Sequence, residues 1–228
     1  MSRKLKILVD ILMALMLLFL MAYSLIGNKT HEIIGIVMFF LFVSHQILNR
    51  RWYGGLLKGR YHGMRVLTTG INGLLFILMI IQMASGILLS KHLFTAIDVN
   101  TNITMTRLVH LAVPYWLFLL TSLHLGFHWR MIIAPLCRKV SQGRIKKWIF
   151  RCVAASIFGY GIYAFVKRSF AGYMFLKSQY AFFDFREPLL FFLLDYIAVM
   201  GLFVFAGHYL ISGILSKNNA RKAGNHEN

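Results

Sequence analysis

Acidic residues, cysteine and proline are all scarce in this chain of 228 residues. Seven Asp and Glu stand against 25 Lys and Arg, and there are only two cysteines and three prolines. Cys137 and Cys152 form neither a CxxC pair nor a CxxCH, which excludes a thioether-bound haem and leaves two reduced thiols. No glycine-rich fingerprint opens a nucleotide fold, no Ser/His/Asp order suggests a hydrolase, and no Cys/His spacing fits zinc. The sequence therefore offers no domain of its own for NAD or for a covalent flavin.

Apolar residues are abundant instead. They make up 58% of the chain, with 20 Phe and 12 Met, against about 45–50% in soluble domains. This is the composition of an integral membrane protein. The net charge of +18 would point to nucleic acid in a soluble protein, but here it lies in the gaps between apolar runs. Membrane topology and anionic lipid account for it, so the expected partner is the bilayer and not nucleic acid.

The expected fold is all-α, a polytopic transmembrane bundle of about six spans: a four-helix core plus two extra helices. The spans run approximately over 7–26, 31–48, 66–90, 106–127, 147–166 and 188–215, each near the roughly 20 residues that cross hydrocarbon. The run from Ile7 to Ile26 follows a basic N-terminus but lacks a small-residue cleavage site, so it reads as a retained span. The N-terminus, the 50–65 and 130–151 stretches and the tail hold 18 of the 25 Lys and Arg. The positive-inside rule then places both termini in the cytoplasm, with the chain in a cytoplasmic membrane, which the resemblance described below implies is bacterial.

Within these spans stand two histidine pairs of identical spacing, His31/His45 and His110/His124. Fourteen residues of α-helix rise about 21 Å and turn about 1400°, roughly 40° short of four turns, so both members of a pair share one helix face. Spans two and four are separated by one span and run in the same direction. His31 therefore shares a level with His110, and His45 with His124. One intramembrane histidine is as easily an interhelical hydrogen-bonding group, but four at a repeated spacing on parallel spans suit two bis-histidine sites for two b-type haems. Filled axial positions imply electron transfer, with the two irons about 20 Å apart.

Several other residues follow from this reading. Gly35, Gly73 and Gly86 would leave room for a flat macrocycle, or would simply let helices pack closely. Lys29, Lys91 and Arg107 at one level, and Arg50, Arg51 and Arg130 at the other, are candidates to neutralise propionates. His128, one turn after His124, competes for its role. His62, His92, His208 and His226 have no matching partners, though His208 could serve a quinone site. The stretch from Tyr180 through Phe182, Phe183, Asp184 and Glu187 to Asp195 could carry quinol protons and stack on a quinone ring. Asp184 and Glu187 also fit a helix start ahead of Pro188. Asp10 would snorkel or pair with Lys6.

Spans one to four read as a duplicated two-helix unit. A shift of 79 residues superimposes His31 on His110, Phe39 on Phe118, Leu41 on Leu120, His45 on His124 and Arg51 on Arg130. The pairs resemble those of cytochrome b and of ferric-reductase-type membrane domains. The runs from His31 to His45-Gln-Ile-Leu-Asn49-Arg-Arg-Trp52 and from His110 to His124-Leu-Gly-Phe-His128-Trp-Arg130 more closely resemble a bacterial cytochrome-b-like membrane family associated with flavinylated electron-transfer systems. The resemblance covers residues 1–132, the expected di-haem domain. It implies haem b and a separate flavoprotein as redox partner. Residues 133–228, a loop, a two-helix hairpin and a polar tail, lie outside it. The expected function is electron relay between a quinol or flavin donor and an acceptor, as a component of an oxidoreductase. The competing expectation is a haem-free membrane anchor or small transporter with structural or proton-carrying histidines.

Overall fold

The computed structural model describes residues 3–59, 61, 63–94, 102–129, 132, 144–179, 184 and 186–224, and every element among them is a helix. The helices are α1 (Arg3–Met21), α2 (Tyr23–Ile26), α3 (Asn28–Leu48), α4 (Arg51–Gly55), α5 (Gly63–Leu88), α6 (Ile103–Phe127), α7 (Arg144–Lys167), α8 (Phe170–Met174) and α9 (Leu189–Gly224). Of the sequence-predicted residues, His62, Arg130, Cys137, Tyr180, Phe182, Phe183 and His226 lie outside the described set.

Four of these helices are long and apolar enough to cross a membrane: α3, α5, α6 and the Leu189–Gly213 portion of α9. The first and fifth expected spans are shorter as apolar helices. Lys4, Lys6 and Asp10 load charge onto α1, which stops at Met21 before the separate turn of α2. The apolar part of α7 is confined to Cys152–Lys167. Large apolar side chains such as Phe40, Ile77, Tyr163 and Leu190 face outward from the bundle. In water such a surface would be an aggregation liability, whereas hydrocarbon is its natural solvent.

Local chemistry sets several boundaries. Gly27 enters α3 with φ +79°, a left-handed value that favours glycine. Asn102 caps α6 by accepting from Met105 N at 3.2 Å. Pro114 lies inside α6 and cannot donate to the carbonyl of His110 one turn earlier.

Contacts fix the helix directions. Asp10 meets His45, Gly86 meets His110, and Tyr160 meets Asp195, so each of α1, α5 and α7 runs antiparallel to its partner. Phe118 packs on Tyr196 and Gly126 on Gly207, so α6 and α9 run parallel. The tight pairs are α1 with α3, α5 with α6, α6 with α9, and α7 with α9. At Gly126 and Gly207 the two backbones approach so closely that a Cβ would strike the opposing main chain, the small-residue packing typical of membrane helices. The hairpin beyond residue 133 is thus anchored on α6. The helices bearing the histidine pairs, α3 and α6, are not among these tight pairs.

Candidate functional site

The four histidines fall at two levels of the bundle, as their spacing predicts. At one end, the His31 and His110 rings face each other across the α3–α6 gap with centroids 6.2 Å apart and planes at 77°. Metal–imidazole bonds are about 2 Å long. Two of them would separate the ligating nitrogens by about 4 Å, and the half-widths of two five-membered rings make up the rest of the centroid distance. The centroid distance is of the size two such bonds would need, while both His110 nitrogens lie within hydrogen-bond distance of Ser85 or Gln82.

Neighbours hold this pair in place. Ser85 Oγ lies 2.9 Å from His110 Nδ1 and donates to the Gln82 carbonyl at 3.0 Å, so it is disposed to accept the Nδ1 proton. The Gln82 amide end lies 3.2 Å from the same nitrogen. Tyr23 stands edge-on to His31 at 5.1 Å. Beside His31, Glu32 accepts from Ser90 Oγ and from the backbone N–H groups of Lys91, His92 and Leu93, pinning the turn after α5 to the start of α3. His92 thus joins this end through its backbone.

The other level is built differently. His45 Nδ1 lies 2.8 Å from Asp10 Oδ1, and a carboxylate can only accept, so His45 carries its proton on Nδ1. Lys6 donates to Asn49 Oδ1 at 3.0 Å. The expected Asp10–Lys6 pairing is thus replaced: each takes a partner on α3, because the two α1 side chains face that helix. His124 sits within electrostatic range of His45, His128 and Asp10, and its ring is 4.9 Å from that of His128. His45 and His124 are not in ring contact, so this level is wider than the first. Of the two competitors, His124 lies inside the bundle and His128 is exposed at its end.

Buried polar atoms are normally hydrogen-bonded. Among the described residues five are not: Ser24 Oγ, His31 Nδ1, Asn72 Oδ1, Gln82 Oε1 and His124 Nδ1. Two are imidazole nitrogens of the expected ligands, one at each level. Gly86 lies against His110, where an added Cβ would come 3.2 Å from Cε1. Gly35 and Gly73 have nothing within 4 Å of such a Cβ. Gly73 is 13 residues from Gly86 on antiparallel α5, about 20 Å along the helix, which brings it to the His124 level. The residues thus fit a pair of two-histidine sites with open space beside the helices. No group of three or more His, Cys, Asp or Glu suited to caging a bare metal ion occurs among the described residues. A haem takes only two protein donors, so such a cluster is not what this reading requires.

The expected basic residues Lys29, Lys91, Arg107, Arg50 and Arg51 are exposed at the two rims. His208 places its backbone against Gly126 at the α6–α9 crossing, and its ring lies 5.4 Å from that of Tyr209.

The Asp195 region differs from its expectation. Asp195 is 1% exposed, and its carboxylate accepts from Tyr160 at 2.5 Å, Lys167 at 2.9 Å and Arg168 Nε at 2.8 Å. Arg168 also forks onto both oxygens of Glu187 at 2.7 and 2.5 Å. Burial lowers the Arg168 pKa, but hydrogen bonds to Glu187 and Asp195 outweigh this and hold it above the ordinary arginine value. A carboxylate so fully engaged is a structural anchor and not a free proton carrier. Glu187 is likewise an ion-pair partner, while Asp184 does serve the turn before α9 by accepting from Arg186 N. Sequence reading missed this network because Arg168 and Asp195 are 27 residues apart; an acid in the second turn of an apolar helix was its only signal.

The chain matches no protein-family model, and no curated protein or solved structure is detectably similar to it.

Proposed function

We propose that the chain is a di-haem b-type cytochrome that relays electrons across a membrane. His31 with His110 would hold one haem, and His45 with His124 the other. The observation that carries this reading is the pairing of levels. Two helices that avoid tight mutual packing bring the His31 and His110 rings to 6.2 Å centroid distance, and each carries its second histidine 14 residues further along.

In this reading α1 and α7 complete six spans, made short by charge at their ends. The excess of Lys and Arg at the termini and in alternate loops supports cytoplasmic termini, with the His31 level toward the outside. Haem when bound supplies a one-electron Fe(III)/Fe(II) couple. The residues of this chain do the rest. Two histidines would hold each haem and leave its iron no place for a substrate, which favours relay over catalysis at iron. Ser85 and Asp10 would accept the Nδ1 protons of His110 and His45, the tautomer in which Nε2 is the ligating atom; at His110 the Gln82 amide, 3.4 Å from Nε2, would turn aside for a ligand. Gly86 lets the His110 ring lie against α5. The donor would be a quinol or flavin, and the redox partner a separate flavoprotein, as the family resemblance implies.

The hydrogen bonds His45–Asp10 and His110–Ser85 also favour a second reading, in which the histidines are structural or proton-carrying groups of a haem-free anchor or transporter. The repeated spacing of the four histidines weighs against it. Low-temperature electron paramagnetic resonance of the oxidised, detergent-purified protein separates the two. Low-spin bis-imidazole signals are expected. A high-spin signal would overturn the axial assignment, and a silent, colourless, folded protein would overturn the haem reading altogether.

A further inference from the structure

The two histidine levels differ in what touches them. His110 Nδ1 rests on neutral groups, the Ser85 hydroxyl at 2.9 Å and the Gln82 amide at 3.2 Å. His45 Nδ1 rests on a carboxylate, Asp10, at 2.8 Å. We infer that Asp10 is the positioning residue of the inner ligand His45 and makes the inner haem the lower-potential member of the pair. This rests on the di-haem reading and adds to it a direction: electrons entering from the cytoplasmic side run downhill toward the His31–His110 level.

The argument is electrostatic. A carboxylate that accepts the far ring proton draws it away from the imidazole and raises the electron density of the ligating nitrogen. A more basic axial ligand, with a negative charge behind it, favours ferric over ferrous iron. A hydroxyl or amide carries no net charge and does this less. Hydrogen bonds to ionised groups are roughly twice as strong as those between neutral ones. Asp10 is set to act on this level alone, being on α1 opposite the last turn of α3, some 14 residues of helix from His31. Among the described residues, the cation hydrogen-bonded to this cluster is Lys6, which donates to Asn49 Oδ1. Asp10 lies near the helix end with its side chain 48% exposed, which limits the effect by solvent screening but leaves its sign unchanged.

The test is a potentiometric titration of the full-length, detergent-purified protein, followed by its haem absorbance, with haem per chain counted on each sample. The wild type should show two steps. Asp10→Asn keeps an acceptor but removes the charge. It should raise the lower step by about tenfold in the reduction equilibrium, about 59 mV for one electron, and leave the upper step in place. Asp10→Glu should restore the lower step. Ser85→Ala should move the upper step alone. If Asp10→Asn retains only one haem, that haem should titrate at the upper potential; retention of the lower one overturns the inference. Two haems with both steps unmoved in Asp10→Asn would overturn the role of Asp10 while leaving the di-haem reading standing. A wild type without haem would overturn that reading itself.

Discussion

On the α7–α9 side of the bundle, buried Asp195 takes hydrogen bonds from three side chains; on the α1–α6 side, His31 and His124 each keep a buried nitrogen without a partner. The contrast extends to packing. The membrane-length windows of α9 and of α6, on which it packs, are 33% and 39% buried, whereas those of α3 and α5 are 17% and 11%. Phe170, Phe192, Tyr196 and Val199 are sealed among α6, α8 and α9, with Phe192 and Tyr196 stacked 4.4 Å apart. Among the described residues, the five unpartnered buried atoms lie between residues 24 and 124. The C-terminal side is a finished structure, and the N-terminal side is arranged around groups that it does not itself satisfy. A hairpin that satisfies its own polar groups suits a buttress, and a half-open bundle with paired imidazoles suits a receptacle.

The sharpest way to break this comparison is to remove a ligand. His110→Ala and His124→Ala should each reduce haem from two to one per chain, and the double variant should hold none. Full haem content in either single variant, measured as the pyridine haemochrome, would place the ligands elsewhere.

Next in size is a cut in the buttress. Arg168→Ala leaves Asp195 buried with much of its compensation gone, and breaking a buried pair in this way costs about 3–5 kcal/mol. Thermal unfolding in detergent should show that loss, while folded Arg168→Ala at low temperature keeps two haems. A variant as stable as the wild type would mean that the network is solvated and not structural.

The smallest effect compares one substitution on the two sides. Gly126→Ala places a methyl against the α9 backbone, and overpacking of this kind costs about 1–3 kcal/mol. Gly73→Ala faces open space and should stay within about 0.5 kcal/mol. A bulkier Gly73→Leu should leave the fold intact and lower haem occupancy at the His124 level. Equal melting temperatures for Gly126→Ala and Gly73→Ala would erase the packing difference between the two sides.

Much of this arrangement is legible along the chain. A spacing of 14 states that His31 and His45 share a face, and the parity of spans states that α3 and α6 run together, so the matched levels follow from local rules. The Asp10–His45 contact bridges 35 residues, and the Arg168–Glu187–Asp195 network joins three segments. Neither has a period or spacing, because each depends on how one helix is rotated against another. The break of the first span at Ala22 was hidden for a different reason: the apolar run continues through it, and hydropathy does not report a local change of backbone angle. The anchoring of α9 on α6 depends on Gly126 and Gly207, which are individually unremarkable in apolar helices and acquire meaning only as a facing pair.

The central claim is that the α3–α6 gap receives two haems. It is tested most directly by the dithionite-reduced minus oxidised spectrum of the purified, haem-replete protein, with pyridine haemochrome quantitation. Two haem b per chain is the predicted result. A folded, colourless protein would contradict it and leave the four histidines as hydrogen-bonding or proton-carrying groups.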